Sequence, residues 1–399
     1  MKNRKVALVL IPALALALAS GFPLLVRLAY ALLLLMLLAY FWSWSSVRWL
    51  EGRVSVLTQH PQVGGWLEEH FRLRNLGWMP KFLVEIRHGS DLAGHQNGRV
   101  LSLLPGGSAS WTVRTLCRTR GRYTLGPPLV VSEDVLGLFS RKQPLGEAQT
   151  VLVLPATLEL ANFLLPSGEA LGEGVHRRPT HRVTPNASGV RDYVAGDSVN
   201  RIHWRSTAHA GRLMVKEFEL EPSEEVWVIL DLYGPAQAGA GPESTEEYAV
   251  TLAASIAHKY LEANYSVGLI ASGAQSLFFP AQKGGFHGWR IMEALALARA
   301  QGVMPLAELI AREGDRFGPN TTAVMVTPSP GEAMSPALGR LLRQGGNVAA
   351  IVLDASTFGD RSRTAGDISG LVAQGVEIYL VRQGDDIGSA LDSKVGILR

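Results

Sequence analysis

The sequence predicts a multidomain chain: an N-terminal transmembrane helical hairpin, a small all-β domain built as a sandwich or barrel, and a C-terminal doubly wound α/β domain. Three observations carry this. Two apolar runs, at about 6–22 and 28–44, each come near the roughly 17 to 25 residues that span a bilayer. Between 51 and 156, short strand-like segments are separated by glycine and proline. From Val226 onward, apolar strands alternate with helical periodicity. A chain of 399 residues has room for two or three such domains. The divisions are 1–50 for the two helices, 51–156 for the β domain, 157–186 for a connector, 187–222 for a glycine- and charge-rich segment and 223–399 for the α/β domain.

The first run has a rival reading as a secretory signal peptide, because Lys2, Arg4 and Lys5 precede an apolar stretch ending in small residues near Ala17 to Ser20. The second run, closed by Tyr40, Trp42 and Trp44 like an interfacial aromatic belt, favours the hairpin, with Pro23 and Arg27 at its turn. Lys2, Arg4 and Lys5 before it and Arg48 and Arg53 after it put both ends in the cytoplasm by the positive-inside rule. The expected location is the inner (cytoplasmic) membrane, multi-pass, with soluble domains facing the cytoplasm and the lipid bilayer as first partner. Cys117 is the sole cysteine, so no intramolecular disulfide forms, which fits a reducing compartment.

Eight strands are expected in the β domain: GRVSVL, EEHFRLRNL, KFLVEIRHG, RVLSLL, SASWTVRTL, GRYTLGP, LVVSE and TVLVLP. Arg114, Arg118, Arg120 and Arg122 recur at strand spacing as a cationic stripe, open to anionic headgroups or to solvent. A net charge of +3 invites a nucleic-acid reading, but no helix-turn-helix, aromatic RNA-binding motif or zinc finger accompanies the stripe, so no nucleic acid is expected.

The connector carries His176 and His181, and His203 and His209 follow, without the i, i+4 spacing or cysteines of a zinc site. Next comes GVRDYVAGDSVNRIHWRSTAHAGRLMVK, Gly189 to Lys216. Gly189, Gly196 and Gly211 suit tight turns. Asp192 and Asp197 suit turn hydrogen bonds and pairing with Arg191, Arg201 or Arg205, and Trp204 offers a large apolar surface. The expected role is a clasp docking this loop on the α/β domain. An alternative is a partner surface formed by Arg191, Asp197, His203 and Arg205. Catalysis is the weaker alternative, because Ser206 and Thr207 lack a nucleophile elbow.

The G-V-R-x-Y, G-D, I-x-W-[KR], L-x-V-[KR]-E pattern here includes Tyr193 and Lys216. Together with R-G-x-Y-x-L-G-P and D-x-[FL]-G-L-[FW] within Arg120 to Phe139, it resembles the domain of unknown function 58 (DUF 58) family. The resemblance implies a von Willebrand factor A-like α/β domain. It also implies partners among MoxR-type AAA+ ATPases and transglutaminase-like membrane proteins.

In the α/β domain, strands are expected at Val226–Leu232, Ser266–Ser272, Thr321–Thr327, Asn347–Asp354 and Val376–Val381, with a short addition around Phe278. Helices begin near Glu243, Phe286, Pro305, Gly331 and Thr364, the first with a Ser244/Glu247 capping box. Function in open α/β sheets gathers at the carboxyl ends of the strands. There the resemblance implies a D-x-S-x-S cation site, whose hard ion needs oxygen ligands. The chain keeps Asp231 but has Tyr233 and Pro235 in place of the serines, so Asp231 marks a degenerate ion site and no metal is expected. Gly234, Gly239 and Gly241 match no phosphate-loop pattern, and Glu243, Glu246 and Glu247 would repel an anion, so no nucleotide or other cofactor is expected.

The expected function is therefore a membrane-anchored, non-catalytic scaffold working with a MoxR-type ATPase. The alternatives are an envelope-associated hydrolase using the Arg191–Arg205 loop, or a metal-dependent adhesion module with a degenerate ion site.

Overall fold

The structure is a computed structural model and describes residues 11, 12, 14, 15, 17, 19–95, 97–134, 137–166, 187–194, 202–218, 225–318, 321–331, 334–359 and 368–395. It divides into two compact units, Met1–Ala156 with Leu295–Leu297 in the first and Thr157–Ala294 with Ala298–Arg399 in the second.

The first unit opens with helix α1 (Pro23–Ser46), whose 24 residues, mostly apolar, are long enough to cross a membrane. At 1.5 Å per residue it spans about 36 Å, against about 30 Å of bilayer hydrocarbon. The expected turn at Pro23 and Arg27 is instead the first turn of this helix, because proline at N1 lacks only an amide hydrogen that has no helical acceptor there. Much of the first apolar run lies outside the described residues, so one spanning-length helix is described and not a hairpin.

Trp49, in the left-handed region at φ 55°, turns the chain out of α1 into the strands. These are β1 (Leu50–Val56), β2 (Trp66–Asn75), β3 (Lys81–His88), β4 (Asn97–Leu103), β5 (Ser108–Leu116), β6 (Gly121–Leu125), β7 (Leu129–Glu133), β8 (Ser140–Pro144) and β9 (Gln149–Val153). They pair antiparallel as β1-β2-β5, β4-β3-β7-β8 and β6-β9. The strand Ser140–Pro144 was not expected. The four arginines do not form one stripe: Arg114 lies in β5 and Arg122 in β6, and Arg120, in the turn between them, is buried.

Lys81 ties helix to strands. It is fully buried, its ammonium donates to the Ser45 carbonyl at the carboxyl end of α1, and it lies 5.5 Å from the Trp49 ring centre. The Ser45 carbonyl also accepts the Arg48 N–H at 3.2 Å, and a cation there opposes the negative end of the helix dipole. Burial lowers the Lys81 pKa.

The second unit begins with a packed segment where a flexible connector was expected. Leu158 donates its backbone N–H to Ser255, Lys259 donates to the Leu160 and Phe163 carbonyls at 2.5 and 2.6 Å, and Phe163 is buried against Tyr260 and Tyr379. Residues 167–186 lie outside the described ones.

Strands β10 (Ala187–Asp192) and β11 (Met214–Phe218) pair antiparallel around the short helix α2 (Trp204–Ala210). The main sheet follows in chain order with β12 (Glu225–Leu230), α3 (Thr245–Glu262), β13 (Ser266–Ser272), β14 (Ser276–Gln282), α4 (Gly285–Leu297), α5 (Leu306–Glu313), β15 (Thr321–Thr327), α6 (Met334–Arg343), β16 (Asn347–Leu353), α7 (Ser369–Ala373), β17 (Glu377–Val381), α8 (Ile387–Ala390) and β18 (Lys394–Val395). The strand order is β14-β13-β12-β15-β16-β17-β18. The five central strands are parallel and the edges β14 and β18 antiparallel. On one face Trp227, Ile229, Met325 and Val352 pack with Leu309 of α5 and Leu338 of α6, while α3 packs on β12 and β13. Burial on both faces explains why the central strands are largely apolar with no alternation.

Gly302 exchanges hydrogen bonds with two backbones beyond β12, donating to the Leu232 carbonyl and accepting from the Gly234 N–H, both at 2.9 Å. A Cβ there would collide with the Ser272 carbonyl oxygen and stand 2.8 Å from that of Leu232. Since both obstacles are backbone, Gly302→Ala should destabilise this unit by about 2 kcal/mol or more, measured by urea unfolding in detergent.

Candidate functional site

Strand β2 alternates, burying Leu67, Glu69, Phe71, Leu73 and Asn75 while Glu68, His70, Arg72 and Arg74 lie less buried or exposed. Glu69 is thus a carboxylate on an otherwise largely apolar face, with no surface exposure. The first unit brings two imidazoles to it: His88, the last residue of β3, and His95, in the loop after it, both buried. One ligand atom from each of the three residues lies within 4.8 Å of the others. His88 Nδ1 stands 3.4 Å from Glu69 Oε1, His95 Nδ1 3.4 Å from Oε2, and His95 Nε2 3.0 Å from His88 Nδ1. His95 Nδ1 is also 2.9 Å from the Thr115 hydroxyl on β5. The loop is pinned at both ends, by Gly126 N–H to the Gly89 carbonyl at 2.8 Å and His95 N–H to the Leu92 carbonyl at 3.1 Å.

Electrostatics in this pocket follow from burial. Burial pushes the Glu69 carboxyl from 4.5 up to about 7. It also lowers the imidazoles, His95 to about 4 with His88 beside it adding to the effect, and His88 against the opposing pull of a hydrogen bond to the Gly126 backbone. Neither carboxylate oxygen has a hydrogen bond among the described residues, although both have an imidazole nitrogen at 3.4 Å. The ion pairs that those distances would allow need protonated imidazoles, which burial disfavours. Two imidazoles and a carboxylate are a ligand set for a transition-metal ion.

These three residues were not singled out from the sequence. The available signal was Glu69 in register with Leu67, Phe71 and Leu73. His88 and His95 carry no such mark, because it is the packing of the sheet that contains β3 against that of β2 that brings them to Glu69.

The glycine- and charge-rich segment has a different character. His203 is the N-cap of α2: its Nδ1 accepts the Ser206 backbone N–H at 3.2 Å and lies 2.7 Å from the Ser206 hydroxyl. That contact, which places a serine beside an imidazole, completes a helix cap. Gly211 closes the helix in the left-handed conformation at φ 68°. Asp192 has an exposed ion pair with Arg212 at 3.2 Å, a partner not among the arginines expected. Gly189 and Arg191 sit in β10 and Lys216 in β11, where Gly189 pairs with Glu217, Arg191 with Val215 and Lys216 with Val190, and Tyr193 donates its N–H to the Leu213 carbonyl. Arg205 is exposed, and Trp204, the surface on which a clasp would close, is 65 % exposed. Gly196, Asp197 and Arg201 lie outside the described residues.

Asp231, at the end of β12, is buried, and burial raises its pKa against two hydrogen bonds. Its Oδ1 accepts the Tyr233 N–H at 3.1 Å and its Oδ2 the Thr327 hydroxyl at 2.7 Å. Gln237 donates to the Asp231 carbonyl at 3.0 Å and accepts from Thr245 at 2.7 Å. The carboxylate therefore fastens the ends of β12 and β15 and their loops together.

Two expectations follow. The carboxyl of Glu69, raised in the folded state, makes its stabilising contribution below pH 4.5 and loses it as pH rises through about 7. The lowered His95 acts with the opposite sign, its contribution growing between about pH 4 and 6.5, so the two partly cancel there. Glu69→Gln, neutral throughout, isolates the carboxylate. In chelator-treated protein it should match the native chain near pH 4.5 and gain on it by up to about 3 kcal/mol by pH 8 in urea unfolding. Separately, His203→Ala should cost α2 about 1 kcal/mol and speed amide exchange at Ser206.

Residues 189–326 match the family described as "Protein of unknown function DUF58". The chain is 28 % identical over 197 residues to "Uncharacterized protein YeaD" of Bacillus subtilis (strain 168), covering 49 % of this chain and 47 % of that protein. It thus spans about half the length of this curated relative. Among solved structures, the CARDB domain of PF1109 from Pyrococcus furiosus aligns at 18 % identity and TM-score 0.21 over 26 % of this chain and 94 % of that one. Proximal thread matrix protein 1 from the mussel byssus aligns at 12 % and 0.30 over 42 % and 45 %. Neither score identifies a fold. The sequence match, which includes Gly189, Arg191, His203, Trp204, Arg205 and Lys216, supports the assignment of this region of the chain to the DUF58 family.

Proposed function

We propose that the chain is a membrane-anchored docking protein of the inner membrane without a catalytic role, its soluble parts in the cytoplasm. The observation that carries this is an apolar rim where α1 meets the strands. Trp42 stacks on Phe82 and Trp44 meets Trp49 edge-on. Leu76 donates its N–H to the Trp49 carbonyl, which brings the 76–79 loop to the same place. Trp78 and Leu83 expose 72 % and 75 % of their surface there. Leu83 is held in the left-handed region at φ 50°, in a register shift of β3 that leaves both Phe82 and Leu83 exposed. Aromatic and aliphatic side chains at a spanning helix's end suit the headgroup region. Arg48 over the Trp44 ring and Arg141 over that of Tyr40 add cations for anionic lipid.

The docking half rests on the family-matched region. Trp204, Val194 and Leu213 are exposed apolar residues beside charged ones, the composition of a partner surface. The DUF 58 resemblance points to a MoxR-type AAA+ ATPase, with a transglutaminase-like membrane protein as a second partner. It also suggests a von Willebrand factor A-like identity for the second unit, with which a parallel-centred sheet is compatible. The hydrogen bonds of His203 and Asp231 support a non-catalytic reading, since each serves a helix cap or a loop junction.

The test is isolation from native membranes. The full chain should remain in carbonate-washed membranes and bring down an AAA+ ATPase identified by mass spectrometry. Trp204→Ala should reduce that recovery about tenfold or more, as loss of a central tryptophan anchor does. Release by carbonate would overturn the anchor, and recovery of no ATPase with the native chain would overturn the partner.

A further inference from the structure

The Glu69 pocket contains one group that the protein around it leaves unsatisfied. His95 and His88 can satisfy each other across 3.0 Å, and Thr115 serves the other nitrogen of His95. That arrangement uses neutral imidazoles and needs no carboxylate. Glu69 nevertheless has both oxygens buried without a hydrogen bond among the described residues. A buried carboxylate in this condition is costly enough that proteins pair it, protonate it or bind it to a metal. No lysine or arginine is paired with Glu69 among the described residues, and the two imidazoles stand 3.4 Å from its oxygens.

We propose that Glu69, His88 and His95 bind one divalent first-row transition-metal ion, of which zinc is the type, as a structural tie within the β unit. The ligand atoms are Glu69 Oε1, His88 Nδ1 and His95 Nε2, leaving His95 Nδ1 on the Thr115 hydroxyl. Metal bonds of about 2.0 to 2.1 Å at tetrahedral angles separate neighbouring ligand atoms by about 3.3 Å. The observed separations of 3.4 Å between His88 Nδ1 and Glu69 Oε1 and 3.0 Å between the two nitrogens lie close to that. The Thr115 hydroxyl at His95 Nδ1 orients that imidazole from behind, as partners of metal-bound histidines do. Nitrogen donors favour zinc and its neighbours over calcium and magnesium, which take oxygen.

Location argues for a structural role. Glu69 comes from the β1-β2-β5 sheet, and His88 from β4-β3-β7-β8. Leu67, on one side of Glu69, packs in an apolar cluster with Cys117, Leu125 and Val153, and Phe71, on the other side, in a separate one with Ile86, Trp111 and Val130. An ion here would join two sheets where the apolar core divides. The three side chains are shut away from solvent, so a substrate has no approach to it.

The full chain in detergent, stripped with a chelator and dialysed, is titrated with zinc chloride by calorimetry and with cobalt(II) by visible absorption. One ion per chain should bind, cobalt should give ligand-field bands, and the unfolding midpoint should be higher in zinc than in chelator. Glu69→Gln and His95→Asn should each weaken binding at least tenfold, while Asp231→Asn leaves it unchanged. X-ray absorption at the zinc edge of the native protein needs no variant and should show a nitrogen/oxygen shell with imidazole scattering. Failure to bind zinc at about 100 µM, a level far above the affinity of built zinc sites, would overturn the proposal. So would affinity unchanged in both folded variants, or a shell containing sulfur or lacking imidazole.

Discussion

Strand β2 must bury every second side chain, and the β unit is arranged around that constraint. It is the middle strand of its sheet, with β1 and β5 on either side. Its inward residues anchor both apolar clusters: Leu67 in one, Phe71 and Leu73 in the other. The alternation that puts these three inside necessarily puts Glu69 inside as well. A slip by one residue would free Glu69 but would turn Leu67, Phe71 and Leu73 to the outside together. Register therefore holds a carboxyl group in the core, and the surrounding side chains have to accommodate it. They do so with imidazoles in place of a lysine or arginine, which fits a proton or metal ion between the groups better than a fixed ion pair.

Lys81 is the counterexample in the same unit. It is also fully buried, yet its ammonium has the Ser45 carbonyl and the face of Trp49. Its partner is the carboxyl end of a helix, where carbonyls lack helical donors and the dipole is negative. That contact fixes how α1 leaves the strands, and Trp49 in the left-handed region makes the turn tight. The buried lysine and the apolar rim around Trp78, Phe82 and Leu83 are thus two results of one junction. The junction holds a helix end by its carbonyls and leaves aromatic residues at the level where headgroups would lie.

The second unit was more legible in the sequence than the first. Strands Ser266–Ser272 and Thr321–Thr327 fall where expected, and Ser244 caps α3 through the Glu247 N–H. Parallel strands buried on both faces read as unbroken apolar runs, and a cap is a local pattern. What escaped were β10 and α2 in a segment read as a loop, α8, the two-residue β18 and the packing of 158–163, features too short for periodicity or held by distant partners such as Lys259. The Glu69 site escaped for the same reason. A strand's alternation can mark one ligand, but the other two are brought to it by the packing of one sheet on another, which has no period along the chain. Arg120 shows the limit of alternation itself: it shares the spacing of its exposed neighbours, but a turn between β5 and β6 breaks the phase.

The segment matched to DUF58 contains many polar residues, which invites an active-site reading, but the described contacts give those residues local duties. His203 and Ser206 close the first turn of α2, Thr207 holds the Met214 N–H at 3.0 Å, and Asp192 meets Arg212. Such bonds require particular side chains at particular positions without any chemistry beyond folding, because a seven-residue helix between two short strands has little core of its own. Trp204 has no such duty among the described residues, and neither has the exposed Arg205. An indole 65 % exposed on a locally braced helix adds little to the stability of its own chain, and a hairpin stiffened by side-chain bonds presents it with little ordering cost on binding. The polar residues and the tryptophan then have one explanation. Under the docking role proposed above, the former brace the helix and the latter is what it would display.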